Sequence, residues 1–206
     1  MNLNLPKIYP ITDAVLAKIS PAEQVERLIS GGARFIQLRE KYAAPQEFYE
    51  SVRDALQIAR KHNAKIIIND RVDIALALEA DGVHLGQDDL PPVEARKILG
   101  EKAIIGFSTH NIEQAIAAVR MPVDYIAVGP IYATTTKENP DEIVGLDGLK
   151  KVRAAVGDFP LVAIGGINSS NLREVLNSGA NSAAIISGLL SSPEEISRNY
   201  EFYASL

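Results

Sequence analysis

The chain has no cysteine. That excludes a disulfide framework and a thiolate-bound metal, and it is consistent with a reducing cytosol. No run of lysine or arginine marks a nucleic-acid face, and the net charge is −5 with a pI near 5.3, so no nucleic-acid partner is expected. No apolar stretch approaches the roughly 20 residues that cross a bilayer. The opening MNLNLPKIYPITD lacks the basic segment and apolar run of an export signal. A soluble, cytoplasmic protein with no membrane partner is expected. A G-x-G-x-x-G after the first strand is missing too, which weakens a doubly wound dinucleotide-binding sheet. No nucleophile, base and orienting acid present themselves as a triad, which argues against acyl transfer.

What is present is apolar and periodic. With 47% apolar residues in a length of 206, the chain can bury a substantial core, and we read residues 1–206 as one domain. Strand and helix patterns alternate without a linker. Lys7 to Ile11 reads as a strand, and Ser20-Pro21 opens a helix with Ser as cap and Pro at its first position. Phe35 to Leu38 is a second strand, and the helix from about Pro45 to His62 lines up Phe48, Val52, Ala55, Leu56 and Ala59. Further strands are expected over Ile66 to Ile68, Gly82 to Leu85, Ala103 to Gly106, Tyr125 to Val128, Leu161 to Ile164 and Ser182 to Ile186. Helices are expected from Val72, after Pro92, over Ile112 to Val119, over Leu146 to Val156 and from Pro193. Eight such units close naturally into a (β/α)8 TIM barrel, whose chemistry sits at the C-terminal ends of the strands.

Polar clusters fall at those ends. Ile66 to Ile68 breaks into Asn69-Asp70-Arg71, and Gly82 to Leu85 into Gly86-Gln87-Asp88-Asp89. If the two strands are parallel neighbours, Asp70 and Asp89 emerge together and would suit a hard cation such as magnesium. The alternative is that Asp70 and Asp88 or Asp89 cap the helices that follow. Gln37, Arg39 and Lys41 alternate at the end of the second strand and could hold a diphosphate; an ordinary charged turn is the other reading. The loop from Gly129 to Pro140 carries Thr134-Thr135-Thr136-Lys137, which suits anionic oxygens and a lid. Gly165-Gly166 and Ser187-Gly188 follow the last two strands, where many barrels bind a phosphate. His84 is read as a core or supporting histidine, His110 as following a strand end, and His62 as favourable to a helix dipole.

In combination, QLREK (37–41), IIINDRVDIALA (66–77), ADGVHLGQDDLP (80–91), GFSTH (106–110), AVGPIYATTTK (127–137) and AIGGI (163–167) resemble the thiamine phosphate synthase family over nearly the whole chain. The resemblance implies a TIM barrel that couples 4-amino-5-hydroxymethyl-2-methylpyrimidine diphosphate with thiazole phosphate, giving thiamine phosphate and diphosphate. It implies one Mg2+ per subunit, held by Asp70 and Asp89. Arg39, Lys41, Asn69 and Lys137 would contact the diphosphate, Gln37 the pyrimidine, and Ser108 the region beside the reacting centre. Thr134, Thr136, Gly166, Ile186 and Ser187 would hold the thiazole phosphate. Ser108, Lys137 and Arg39 are the implied catalytic residues. One departure is Ala133, where the family more often has proline. Related thiazole tautomerases share the fold but lack much of the diphosphate set, which this chain retains; a non-catalytic phosphate-binding barrel is a third reading. A homo-oligomer stays open.

Overall fold

The computed structural model describes residues 3–134 and 142–206. Its strands are β1 (Ile8–Pro10), β2 (Phe35–Leu38), β3 (Lys65–Asn69), β4 (Gly82–Leu85), β5 (Ile104–Thr109), β6 (Tyr125–Val128), β7 (Leu161–Ile164) and β8 (Ser182–Ile185). They form one parallel sheet in the order β1-β8-β7-β6-β5-β4-β3-β2. A bridge between Ile11 and Gln37 closes it, with the Thr12 amide donating to the Gln37 carbonyl at 2.9 Å. The protein is the (β/α)8 barrel that the alternation predicts.

The helices are α1 (Ala14–Ala17), α2 (Pro21–Ser30), α3 (Pro45–Lys61), α4 (Val72–Ala77), α5 (Pro92–Leu99), α6 (Ile112–Ala118), α7 (Gly145–Val156), α8 (Leu172–Asn177), α9 (Ser187–Leu190) and α10 (Ile196–Ser205). Helix α2 starts as expected. The Ser20 hydroxyl accepts from the Glu23 amide, the Glu23 carboxylate accepts from the Ser20 amide, and Pro21 takes the first turn. Helix α3 buries Phe48, Val52, Ala55, Leu56 and Ala59, the stripe its periodicity marks.

Strand β3 shows why a continuous apolar run reads as a covered strand. Ile67 points into the barrel among Tyr9, Phe35 and Tyr125, whereas Ile66 and Ile68 pack outward into the layer beneath the helices. All three are fully buried, each contributing roughly 1.5–3 kcal/mol of hydrophobic stabilisation. At the opposite end of the barrel from the polar clusters, the residue before each of three strands braces its neighbour. Asp81 accepts from the Ile66 amide at 2.9 Å, Asp124 from Ile105 at 2.8 Å and Asn181 from Leu161 at 2.9 Å.

Several boundaries differ from those read in the sequence. Strand β5 continues through Ser108 and Thr109, because the buried Thr109 hydroxyl is satisfied by the Ala127 carbonyl of β6 and needs no loop. Strand β8 stops at Ile185, and Ser187 opens the short helix α9. Pro193 starts a 3-10 turn that leads into α10. Helix α1 is an addition, held by Asp13, whose carboxylate accepts from the Leu16 amide at 2.9 Å.

Candidate active site

The strand ends surround a cavity of about 520 Å³. The register of β3 against β4 sets Asn69 beside His84, so the residues following each strand emerge together, as parallel pairing predicts. Asp70 occupies the left-handed region at φ 62°, a conformation that aspartate tolerates better than most residues. Its amide donates to the His84 carbonyl at 2.8 Å. Asp89 accepts from the Gly86 amide at 2.6 Å.

Neither carboxylate is a helix cap. The capping positions of α4 and α5 are Arg71 and Pro91, and neither helix has a side-chain cap. The capping alternative therefore fails for Asp70, Asp88 and Asp89. Burial, and then the neighbouring Asp89 within hydrogen-bonding reach, push the Asp70 carboxyl up to about 7; Arg39 and Asn69 act in the opposite direction. Two half-buried, mutually repelling carboxylates form a place that a cation would relieve.

Arg39 is held in position before any ligand arrives. Its guanidinium meets Asp13 at 3.1 Å, with both side chains only 16% exposed. Its amide donates to the Thr12 hydroxyl at 3.1 Å. Lys41 is exposed at the rim and lines the same cavity, as does Asn69. Across the mouth, Gly165 and Gly166 have φ of 101° and 63°. A side chain on Gly166 would run into Tyr132 and the Ala133 carbonyl. Glycine therefore lets the segment after β6 lie against β7, where the Tyr132 amide donates to the Gly165 carbonyl at 3.0 Å. Thr134, Ile186 and Ser187 complete that wall. Thr136 and Lys137 lie outside the described residues.

The floor of the cavity is polar. Gln37 lines it, and its amide nitrogen donates to the Tyr9 hydroxyl at 3.1 Å. Ser108 sits 2.9 Å from His84 Nε2. Both belong to the expected set, but their partners Tyr9, His84 and Tyr125 were not singled out as functional. Each sits inside an apolar strand, and the only signal available was a polar atom at an inward position. Gln87 and His110, which also line the cavity, were missed for a different reason: Gln87 donates to the Ser108 carbonyl and His110 pairs with the Gly129 carbonyl through loop geometry.

Comparison with known proteins shows the family. A family model described as thiamine monophosphate synthase matches residues 8–189. The chain belongs to the thiamine monophosphate synthase family. It is 43% identical to the thiamine-phosphate synthase of Chloroflexus aurantiacus, over 91% of this chain and 87% of that one. It is 45% identical to that of Clostridium novyi, over 92% and 93% respectively. A thiamine phosphate pyrophosphorylase from Pyrococcus furiosus superposes with a TM-score of 0.87 at 37% identity, covering 98% of this chain and 96% of that one. Membership in the synthase family makes the protein an enzyme, a transferase of thiamine biosynthesis. Among the described residues, no helix is long and apolar enough to cross a membrane.

Proposed function

We propose that the protein is a thiamine-phosphate synthase that couples 4-amino-5-hydroxymethyl-2-methylpyrimidine diphosphate with thiazole phosphate, releasing diphosphate. The observation that carries this reading is the Asp70 and Asp89 pair, freed from capping and facing the cavity beside Arg39. Related names in the comparisons and the retained diphosphate set support it.

The donor set fits Mg2+. Asp70 and Asp89 offer carboxylate oxygens at the cavity mouth. That suits an ion which takes one or two carboxylates and leaves its other positions to water and phosphate. When bound, Mg2+ would neutralise charge on the departing diphosphate.

The chain's own residues do the rest. Arg39, braced by Asp13, offers a fork to phosphate oxygens; Lys41 and Lys137 add positive charge, and Asn69 a neutral donor. Such charges act most as the bond between the pyrimidine methylene and the diphosphate oxygen lengthens and negative charge moves outward. Gln37 and Ser108 orient the pyrimidine at the floor. Gly166, Thr134, Thr136, Ile186 and Ser187 hold the thiazole phosphate so that its ring nitrogen faces the methylene carbon. No general base is needed, because an aromatic nitrogen is already a nucleophile; alignment and exclusion of water dominate.

The test is product formation by purified protein from the two substrates, with magnesium and with excess EDTA. Thiamine phosphate appearing only with magnesium is the expected result. Folded protein that makes none under either condition would overturn the reading in favour of a tautomerase or a binding barrel.

A further inference from the structure

A hydrogen-bonded chain crosses the barrel interior from Gln37 to Ser108. The Gln37 amide nitrogen donates to the Tyr9 hydroxyl at 3.1 Å, Tyr9 and Tyr125 share a hydrogen at 2.9 Å, Tyr125 meets His84 Nδ1 at 3.0 Å, and His84 Nε2 meets Ser108 Oγ at 2.9 Å. The three middle residues are almost wholly buried, with Tyr9 at 1%, Tyr125 at 0% and His84 at 7% exposure. The His84 ring stacks on Tyr125 with centroids 5.5 Å apart. Gly106 leaves the room this requires, since a methyl there would collide with both rings.

Each link has one proton, so the chain has a direction. With Gln37 donating to it, Tyr9 has the Tyr125 hydroxyl left to receive its own proton, so Tyr9 donates to Tyr125. Tyr125 then donates to His84 Nδ1, which makes Nε2 the protonated nitrogen of the neutral ring. Nε2–H donates to Ser108 Oγ, and the only proton left to the serine is its own, on the cavity side. Reversing the Gln37 amide would reverse every link and turn Ser108 into a donor towards His84, leaving only its lone pairs for a ligand. Both ends of the chain line the cavity, as do Tyr9 and His84 between them.

We propose that Tyr9, Tyr125 and His84 are positioning residues which fix the hydrogen-bond polarity of the cavity floor, holding the Ser108 hydroxyl as a donor to an acceptor atom of a planar heterocyclic ligand. Gln37 keeps its carbonyl oxygen for a donor such as a ring amino group. The floor thus reads one donor and acceptor pattern and disfavours the inverted one, because a mismatched ligand leaves buried polar groups unpaired. The burial that pushes the His84 imidazole down to about 4 is consistent with a neutral ring at physiological pH.

The tautomer of His84 tests this without any activity assay. In 15N-labelled wild-type protein without ligand, NMR should find the His84 proton on Nε2; finding it on Nδ1 would overturn the assigned polarity. In Gln37→Glu, read at a pH where the 13C shift shows the new carboxylate ionised, an acceptor replaces the donor and the His84 proton should move to Nδ1. A proton that stays on Nε2 in that ionised variant would overturn control through the chain. The kinetic arm rests on the function proposed above. Tyr125→Phe keeps the packing and removes one link, and should lower kcat/KM for the pyrimidine diphosphate roughly tenfold or more while leaving KM for thiazole phosphate unchanged. Unchanged kinetics would overturn the positioning role. Wild-type protein that shows the Nε2–H tautomer but forms no thiamine phosphate would sink the proposed function and leave the chain standing.

Discussion

Asp70 is costly where it stands. It occupies left-handed backbone and is half-buried beside Asp89, with its carboxyl pushed up to about 7. Replacing it with asparagine keeps the shape, suits the backbone conformation better, and removes one of two repelling charges. Asp70→Asn should abolish synthesis yet raise the stability of the metal-free protein at pH 8 by roughly 1–2 kcal/mol, a figure discounted because the group is partly exposed. Urea denaturation in EDTA checks it, and a lower midpoint for the variant would contradict the account. His84 behaves in the opposite sense. The unfolded chain takes up its proton near the ordinary histidine value, whereas the folded protein holds out to about 4. Stability from this group is complete above about pH 6.5 and is lost as pH falls from there towards 4. By pH 5 the loss should be about 2 kcal/mol relative to pH 7.5. In His84→Gln that share of the pH dependence should vanish; equal slopes for the two proteins in urea melts across this range would refute it.

Among elements, the two ends of the strands divide the work. At the base, Asp124 joins Arg96 at 2.7 Å and accepts the Ile105 amide. Asp124→Ala leaves a guanidinium and a backbone donor short of a partner and should cost roughly 2–3 kcal/mol, with kcat unchanged at a temperature where the variant is folded. A fall in kcat with intact stability would place Asp124 outside the purely structural group. Gly106→Ala in β5 differs, because the added methyl meets Tyr125 and His84. It should lower stability by about 1–3 kcal/mol through overpacking and also reduce kcat, since the displaced rings support Ser108. Thermal melts and turnover measured together separate the two variants.

The same division explains what could be read in the sequence. Strands such as Ile66 to Ile68 and helices such as α3 declare themselves by local period, and parallel pairing then brings Asp70 and Asp89 together without further information. The polarity of Ser108 reads as a strand end; its place on the strand comes from pairing with Ala127 of β6, and its hydroxyl's partner, His84, is 24 residues away. Likewise, nothing local distinguishes Tyr9 and Tyr125 from ordinary core aromatics. Their hydroxyls matter only because residues 116 apart in sequence meet at the barrel axis.

For the molecule as a whole, the place where the sheet closes has the most to tell. Strands β2 and β3 share four register pairs, whereas between backbones β1 and β2 are joined by one bridge and the Thr12 amide, the rest of that join being side-chain bonds of Gln37 and Arg39. Gln37 belongs to that join and to the cavity floor. A ligand that fixes Gln37 therefore also clasps the cylinder shut. Amide hydrogen exchange should reveal this as motion. In the free protein Thr12 should exchange well before the amides of Ile67 and Ile68, and saturating pyrimidine diphosphate should slow Thr12 more than those amides. Uniform protection across the strands, with or without ligand, would show a cylinder that never opens along this line. Otherwise the enzyme breathes at its weakest join, and substrate binding is what stills it.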